Sequence, residues 1–405
     1  MGSAFFICAT MSFYTQYEIV IDEDQSMRTK PYARPDVRKE DIEAVCRVLE
    51  SQFLTTGPKV PELEDLFANL VVVKEAVACS NGTTALHLAS LALGLKPGDK
   101  VVVPALTFLA TANAVRMCGA DVVFCDVDPD TGIMTLDHLK EAEQKAGSGI
   151  VAVYPVHIGG HCADMKAISS YAREKGWKIV EDACHALGGT NQGHPVGACA
   201  YSDMACFSLH ATKSFTAAEG GVITTNNESF AERMRTLRSH GMTRDEGVGP
   251  WAYKMTELGY NYRLTDVQAA LAISQLNRME EVREIRSELA FSYRNALEGH
   301  SPYVQCVKGT GFGEPLLHLF QLLIDFEGLG KPRATLMKNL LDKGVGTQVH
   351  YIPVANQPYY IDLYGEPHMP GAQKFYERIL AIPFYAGLSQ AEQDEIIAAI
   401  KSEIS

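Results

Sequence analysis

Seven short apolar runs, separated by stretches with helical spacing, constrain this chain more than any other feature. They are EAVACS (75–80), KVVVP (100–104), DVVFC (121–125), GIVAVYP (149–155), WKIVEDA (177–183), DMACFSL (203–209) and GVITT (221–225). Strands that are apolar on both faces and alternate with helices build a largely parallel sheet covered on each side. Ligands of such a sheet collect at the carboxyl ends of its strands, where the chain turns into the next helix. A length of 405 residues with 46% hydrophobic composition supplies this sheet and a second domain.

Residues 1–28 follow no amphipathic period and carry IDEDQ, so they read as an extension or an expression-start artefact. VRKEDIEAVCRVLES then has the pattern of an amphipathic helix, and FLTTGPKV after it has the Thr, Gly and Pro of a structured loop. A large domain is expected over residues 29–280. The helix REIRSELAFSYRNALEG leads on to HLFQLLIDF and a shorter mixture of strands and helices, expected to form a smaller α/β domain over residues 281–405.

The formal net charge of −13, with Lys and Arg scattered, lacks the basic footprint of a nucleic-acid binder. No apolar run approaches the roughly 18 to 20 residues that span a bilayer, and the start has no basic signal-peptide region. The expectation is a cytoplasmic protein with no membrane contact. Ten cysteines without a CxxC pair fit buried thiols in a reducing compartment. His157, His161 and Cys162 share one short loop without further ligands, so no metal site is expected. No GxGxxG follows a strand and no Walker sequence occurs, which gives no support to a dinucleotide or ATP enzyme.

Three segments carry chemistry. Ser80 to Thr84 lie between a strand and a helix start, where backbone amides either bind phosphate or merely cap the helix. Asp182 of WKIVEDACHALGG ends a buried strand; it is either a helix cap or a carboxylate with a cationic partner, for which a protonated pyridine nitrogen would serve. Lys213 of ACFSLHATKSFTAAEGG sits in a loop after a strand, where a depressed pKa would let its amine form an imine with an electrophilic cofactor. Phosphate loop, acid and lysine come in that order, each after its own strand.

SNGTTALHLA, PALTFLATANAV, EDACHALGG, FSLHATK, EGG and LGYNYRLTDVQAAL resemble the nucleotide-sugar aminotransferase family of DegT/StrS type, from roughly Arg34 to the end. These are fold-type I enzymes of pyridoxal 5'-phosphate (PLP). The resemblance implies an aspartate aminotransferase-like α/β fold with a mostly parallel seven-stranded sheet and a smaller C-terminal α/β domain. It implies that Lys213 holds PLP as a Schiff base and shuttles the proton, and that Asp182 pairs with the ring nitrogen. By the same resemblance Phe108 stacks on the ring, His185 lies near the ring oxygen, and Gly82, Thr83 and Ser208 contact the phosphate. Asn261 is expected to reach the phosphate of a neighbouring subunit, which implies a homodimer with shared active sites. Members with histidine in place of the lysine are dehydratases, so Lys213 favours transamination.

GVGTQVHYIPVANQPYY, AIPFYAGLSQAEQDEII and the early FLTTGPKVPE are similar to one branch of that family. That branch aminates C4 of a UDP-linked 4-keto-6-deoxy-N-acetylhexosamine in pseudaminic acid biosynthesis. It implies L-glutamate as amino donor in a ping-pong reaction, with substrate contacts at Thr56, Arg263, His350 and Tyr351. The aromatic side chains suit either sugar and base contacts or packing, and Arg263 either an anion partner or a structural ion pair. Two alternatives stand beside this expectation: an aminotransferase for another keto sugar (dTDP- or GDP-linked, C3 or C4), and a non-catalytic PLP-binding regulator of the same fold.

Overall fold

The computed structural model describes residues 29–245 and 247–405; the expected extension at residues 1–28 lies outside the described residues. The seven apolar runs form one seven-stranded sheet. In chain order the strands are β1 (Glu75–Cys79), β2 (Lys100–Pro104), β3 (Asp121–Cys125), β4 (Ile150–Val153), β5 (Lys178–Asp182), β6 (Met204–Ser208) and β7 (Gly221–Thr225). Their order across the sheet is β1-β7-β6-β5-β4-β2-β3. Every neighbouring pair is parallel except those made by β7, which runs against β1 and β6. The other six strands therefore end on one edge.

Side-chain alternation divides the sheet between two cores. Val101 and Val103 of β2 pack with Leu86, Leu88, Ala112, Val115 and Met234 on one face. Val102 between them packs with Leu139, Ile168 and Ile179 on the other. The first face is covered by helices α1 (Gly82–Leu93), α2 (Leu109–Met117) and α3 (Glu228–Arg238). Helix α1 is buried nearly all round, which explains why its sequence shows little polar face. It starts with a reciprocal cap, in which Asn81 Oδ1 accepts from Thr84 N at 2.9 Å and Thr84 Oγ1 accepts from Asn81 N at 3.1 Å. Gly94, at φ 80°, ends it in the left-handed region.

The C-terminal part has its own antiparallel sheet of β8 (Val304–Cys306), β9 (Phe320–Ile324) and β10 (Ile379–Ile382), with β9 in the centre. Leu322, Ile324, Leu380 and Ile382 pack there with Leu336, Leu340, Ile396 and Ile400. The first described residues return to this part: Lys30 pairs in parallel with Val345, and Phe384 N donates to Tyr32 O at 3.0 Å. A hairpin of Met242–Arg244 and Tyr253–Met255 stands away from both sheets and is exposed throughout.

Candidate active site

The common edge of the strands gathers most of the residues expected from the sequence. Successive residues of β5 face opposite sides. Glu181 turns inward, where His157 Nε2 meets its Oε2 at 2.8 Å and Ser202 Oγ donates to its Oε1 at 2.5 Å. His157 is thus committed to a buried carboxylate, and no group of three or more His, Cys, Asp and Glu suited to a metal occurs among the described residues. Asp182 turns the other way. Its Oδ2 accepts from Thr111 Oγ1 at 2.6 Å, its Oδ1 accepts from Cys184 N at 3.2 Å, and Thr111 is further bonded to Thr107 at 2.7 Å. This carboxylate is 5% exposed and both of those donors are neutral, so a cationic partner at its free lone pairs would satisfy it.

Lys213 follows β6 in a loop closed at its base, where Leu209 N donates to Gly220 O and Ala217 N to Leu209 O, both at 2.8 Å. A turn from Lys213 N to His210 O at 2.9 Å fixes the lysine backbone. Burial lowers the pKa of its ammonium, against the smaller opposing influence of Cys184 and Asp182. A lowered pKa enlarges the fraction of free amine, the nucleophilic form. Phe108, between β2 and α2, leaves 53% of its surface exposed and packs tilted against Tyr351, centroids 5.7 Å apart.

Gly82 and Ser208 meet where β1 turns into α1 and β6 ends. A Cβ on Gly82 would stand 2.8 Å from Ser208 Cβ, so only glycine allows this approach. The Asn81 cap leaves the N–H groups of Gly82 and Thr83 at the open end of α1, a setting for an anion.

Aromatic and imidazole groups close the other side. His185 accepts from Gly159 N at Nδ1 (3.2 Å) and meets the Tyr351 hydroxyl at Nε2 (3.2 Å). His318 packs its ring 4.5 Å from His185, and His350 lies 4.9 Å from Tyr351 and 5.2 Å from Tyr32. Burial holds His185 and His318 well below the ordinary histidine pKa and His350 down to about 3. These three imidazoles are neutral.

The remaining expected residues stand apart from this cluster. Thr56 is exposed and turns its hydroxyl back to Thr55 O at 2.7 Å. Asn261 is exposed, bridged through its backbone to Ser239, and Arg263 keeps a buried Nε without a partner. Sequence reasoning missed Thr111, Tyr32, His318 and Arg286. Thr111 was in view within LTFLATA, and its signal was a hydroxyl at a helix start opposite a strand-end acid. His318 and Arg286 gave none: Arg286 is buried, stacks on Phe384 at 4.6 Å and donates to Leu317 O and His318 O at 2.8 Å each, all by long-range approach.

Comparison with known proteins agrees with this geometry. The profile of the DegT/DnrJ/EryC1/StrS aminotransferase family matches residues 35–401. The spore coat polysaccharide biosynthesis protein SpsC of Bacillus subtilis is 37% identical over 383 residues, covering 92% of this chain and 96% of that protein. Among solved structures, Helicobacter pylori PseC, an aminotransferase involved in the biosynthesis of pseudoaminic acid, superposes with a TM-score of 0.86 at 26% identity, covering 93% of this chain and 99% of that one. The PLP form of Spr1654, a sugar aminotransferase by description, from Streptococcus pneumoniae gives 0.84 at 28% identity, covering 93% and 98%.

Proposed function

This chain belongs to the DegT/DnrJ/EryC1/StrS aminotransferase family, and from that premise we propose that it moves an amino group from L-glutamate to C4 of a UDP-linked 4-keto-6-deoxy-N-acetylhexosamine. It is a PLP-dependent sugar aminotransferase. The coarse activity follows from the family; the sugar, nucleotide, position and donor are the proposal. The similarity to PseC, whose described role lies in pseudoaminic acid biosynthesis, supports the choice of sugar.

The residues fit the cofactor. Gly82, Thr83 and Ser208 offer a cradle for its phosphate that a Cβ on Gly82 would fill. Phe108 offers a bare ring face, and Asp182 an anion for a pyridinium. When bound, PLP supplies an electrophilic carbon for the amine and a protonated ring that withdraws electrons from the carbon being deprotonated. Around it, Lys213 would hold the cofactor through its amine and would be the group that moves the proton. Asp182, fixed by Thr111 and Cys184 N, holds the proton on the ring nitrogen. Phe108 keeps the ring at one height and water from its face. His350, Tyr351, Arg263 and Thr56 contact the sugar or its nucleotide. Asn261 of a second copy reaches the phosphate, so the working unit is a homodimer, acting in the cytoplasm.

The observation that carries this reading is the desolvated Lys213 amine in the company of a buried, oriented Asp182. The test is the absorbance of purified protein with PLP, before and after L-glutamate, for wild type and Lys213→Ala. A visible band that moves to the near ultraviolet only in wild type is expected. A protein that does not bind PLP sinks the reading. A band insensitive to L-glutamate but responsive to another amino acid replaces the donor alone.

A further inference from the structure

Hydrogen counting around His185 leads beyond the roles assigned above. The Gly159 N–H lies 3.2 Å from Nδ1 of His185. An amide N–H can only donate, so Nδ1 accepts and the hydrogen of the neutral ring sits on Nε2. Burial, with Lys213 and His350 nearby, keeps the imidazole from gaining a second hydrogen. Nε2 meets the Tyr351 hydroxyl at 3.2 Å, so the tyrosine oxygen accepts. Its own hydrogen is thereby left over, and no acceptor for it appears among the described residues.

The surroundings hold this arrangement rigidly. Gly159 sits at φ 66°, and a Cβ there would meet Gln321 Oε1 at 2.6 Å, so the amide that orients His185 cannot move aside for a larger residue. His318 N donates to Gly159 O at 2.9 Å while its ring packs 4.5 Å from His185. Tyr351 lies against the half-exposed Phe108, next to His350, with Asp182, Cys184 and Tyr32 near enough to act on its charge. The groups packed around the spare hydrogen thus include Phe108 and Asp182.

We propose that Tyr351 is a further catalytic residue: kept by His185 as a pure hydrogen-bond donor, its phenol donates to an electron-rich oxygen of a group bound beside Lys213. His185 is then a positioning residue that acts through Tyr351. This rests on the functional reading above. Two oxygens share the chemistry, the phenolic oxygen of the cofactor ring and the keto oxygen of the sugar.

Tyr351→Phe keeps the ring and removes the hydroxyl, and with it the spare hydrogen and the acceptor of His185 Nε2. PLP is bound to wild type and variant, and the visible band is titrated with pH; the half reactions with L-glutamate and with the UDP-linked keto sugar are then timed separately. Donation to the cofactor oxygen predicts that the band titrates about one pH unit higher in Tyr351→Phe, because its phenolate form has lost a donor. Donation to the sugar oxygen predicts an unmoved midpoint, an unchanged L-glutamate half reaction and a sugar half reaction slowed about tenfold or more. His185→Leu should copy whichever change is seen. His185→Gln, whose amide can accept from Gly159 and donate to Tyr351, should reverse most of it; if His185→Leu does not fold, the glutamine variant and Tyr351→Phe decide between them. Native titration and native half reactions in Tyr351→Phe overturn the proposal, as does a His185→Leu enzyme that behaves as wild type. Wild-type protein without a visible band fails the functional reading first, and that result is seen before any variant is made.

Discussion

The buried wall around Lys213 and an exposed rim of Thr56, Asn261 and the Met242–Met255 hairpin are built differently. Behind the lysine, Thr107, Thr111, Asp182 and the Cys184 amide form one hydrogen-bonded chain, and Gly159, His185 and Tyr351 form another. On the rim, Thr56 and Asn261 are exposed and the Met242–Met255 hairpin carries bare Trp251 and Tyr253, 76% and 66% exposed, with Leu258 beyond it at 72%. Large apolar side chains left in water mark a surface that expects a partner. In the reading proposed here, gripping the cofactor ring would be a property of the single chain, and completing the phosphate and sugar side, in a homodimer, a property of the pair.

The largest test falls on the wall. Asp182→Asn keeps the shape and removes the charge, and is expected to lower kcat/KM by at least about a thousandfold with unchanged circular dichroism; a loss below about tenfold would mean that the wall's organised carboxylate is only structural. The rim is tested next by mixing. Lys213→Ala and Asn261→Ala homodimers are each expected to be inactive or nearly so, and unfolding and refolding them together should restore about a quarter of wild-type activity, since random pairing gives half hybrids with one intact site each. A mixture as inactive as its parents would show that each chain completes its own rim.

Smaller effects sharpen the contrast. Thr111→Val removes one of two donors to Asp182 and should reduce kcat about tenfold, with PLP affinity, measured by fluorescence, weakened by a similar factor. Unchanged affinity would place the threonine outside the grip on the ring. The neutral imidazoles of the wall also leave a signature in stability. In the wall, burial holds His350 down to about 3 and His185 and His318 well below the ordinary histidine value, and outside it His161 is held down to about 4. Unfolded, these groups take up protons near pH 6.5, so the unfolded state binds more protons below that pH and stability falls as the pH drops from about 6.5 towards 4. The melting midpoint should fall by at least about 5 °C between pH 7 and 5, and His350→Gln should flatten that fall.

The wall was also the more legible half in the sequence. Strand-end residues announce themselves, because a polar Asp182 or Ser208 closing an apolar run has few explanations, and both lie where the runs predicted them. The direction of β7 was not legible: GVITT is buried at every position, and a fully buried strand reads the same whichever way it runs. Nor were the partners of the strand-end residues. Thr111 reaches Asp182 across 71 residues, and Tyr351 reaches His185 across 166. Periodicity reports which face a residue takes, not which distant residue it meets there, so His318 and Arg286 looked like ordinary members of an apolar run and a helix.

The return of Tyr32 to the far end of the chain imposes an order of assembly. Its carbonyl bonds to Phe384 N, its ring lies on His350, and Lys30 beside it pairs with Val345. During synthesis the amino end emerges first but has nowhere to sit until almost the whole chain has followed. The loop of Lys213 can close around its base well before that, on contacts made within residues 209–220. A nascent chain therefore carries the closed Lys213 loop for a time before residues 30–32 can dock.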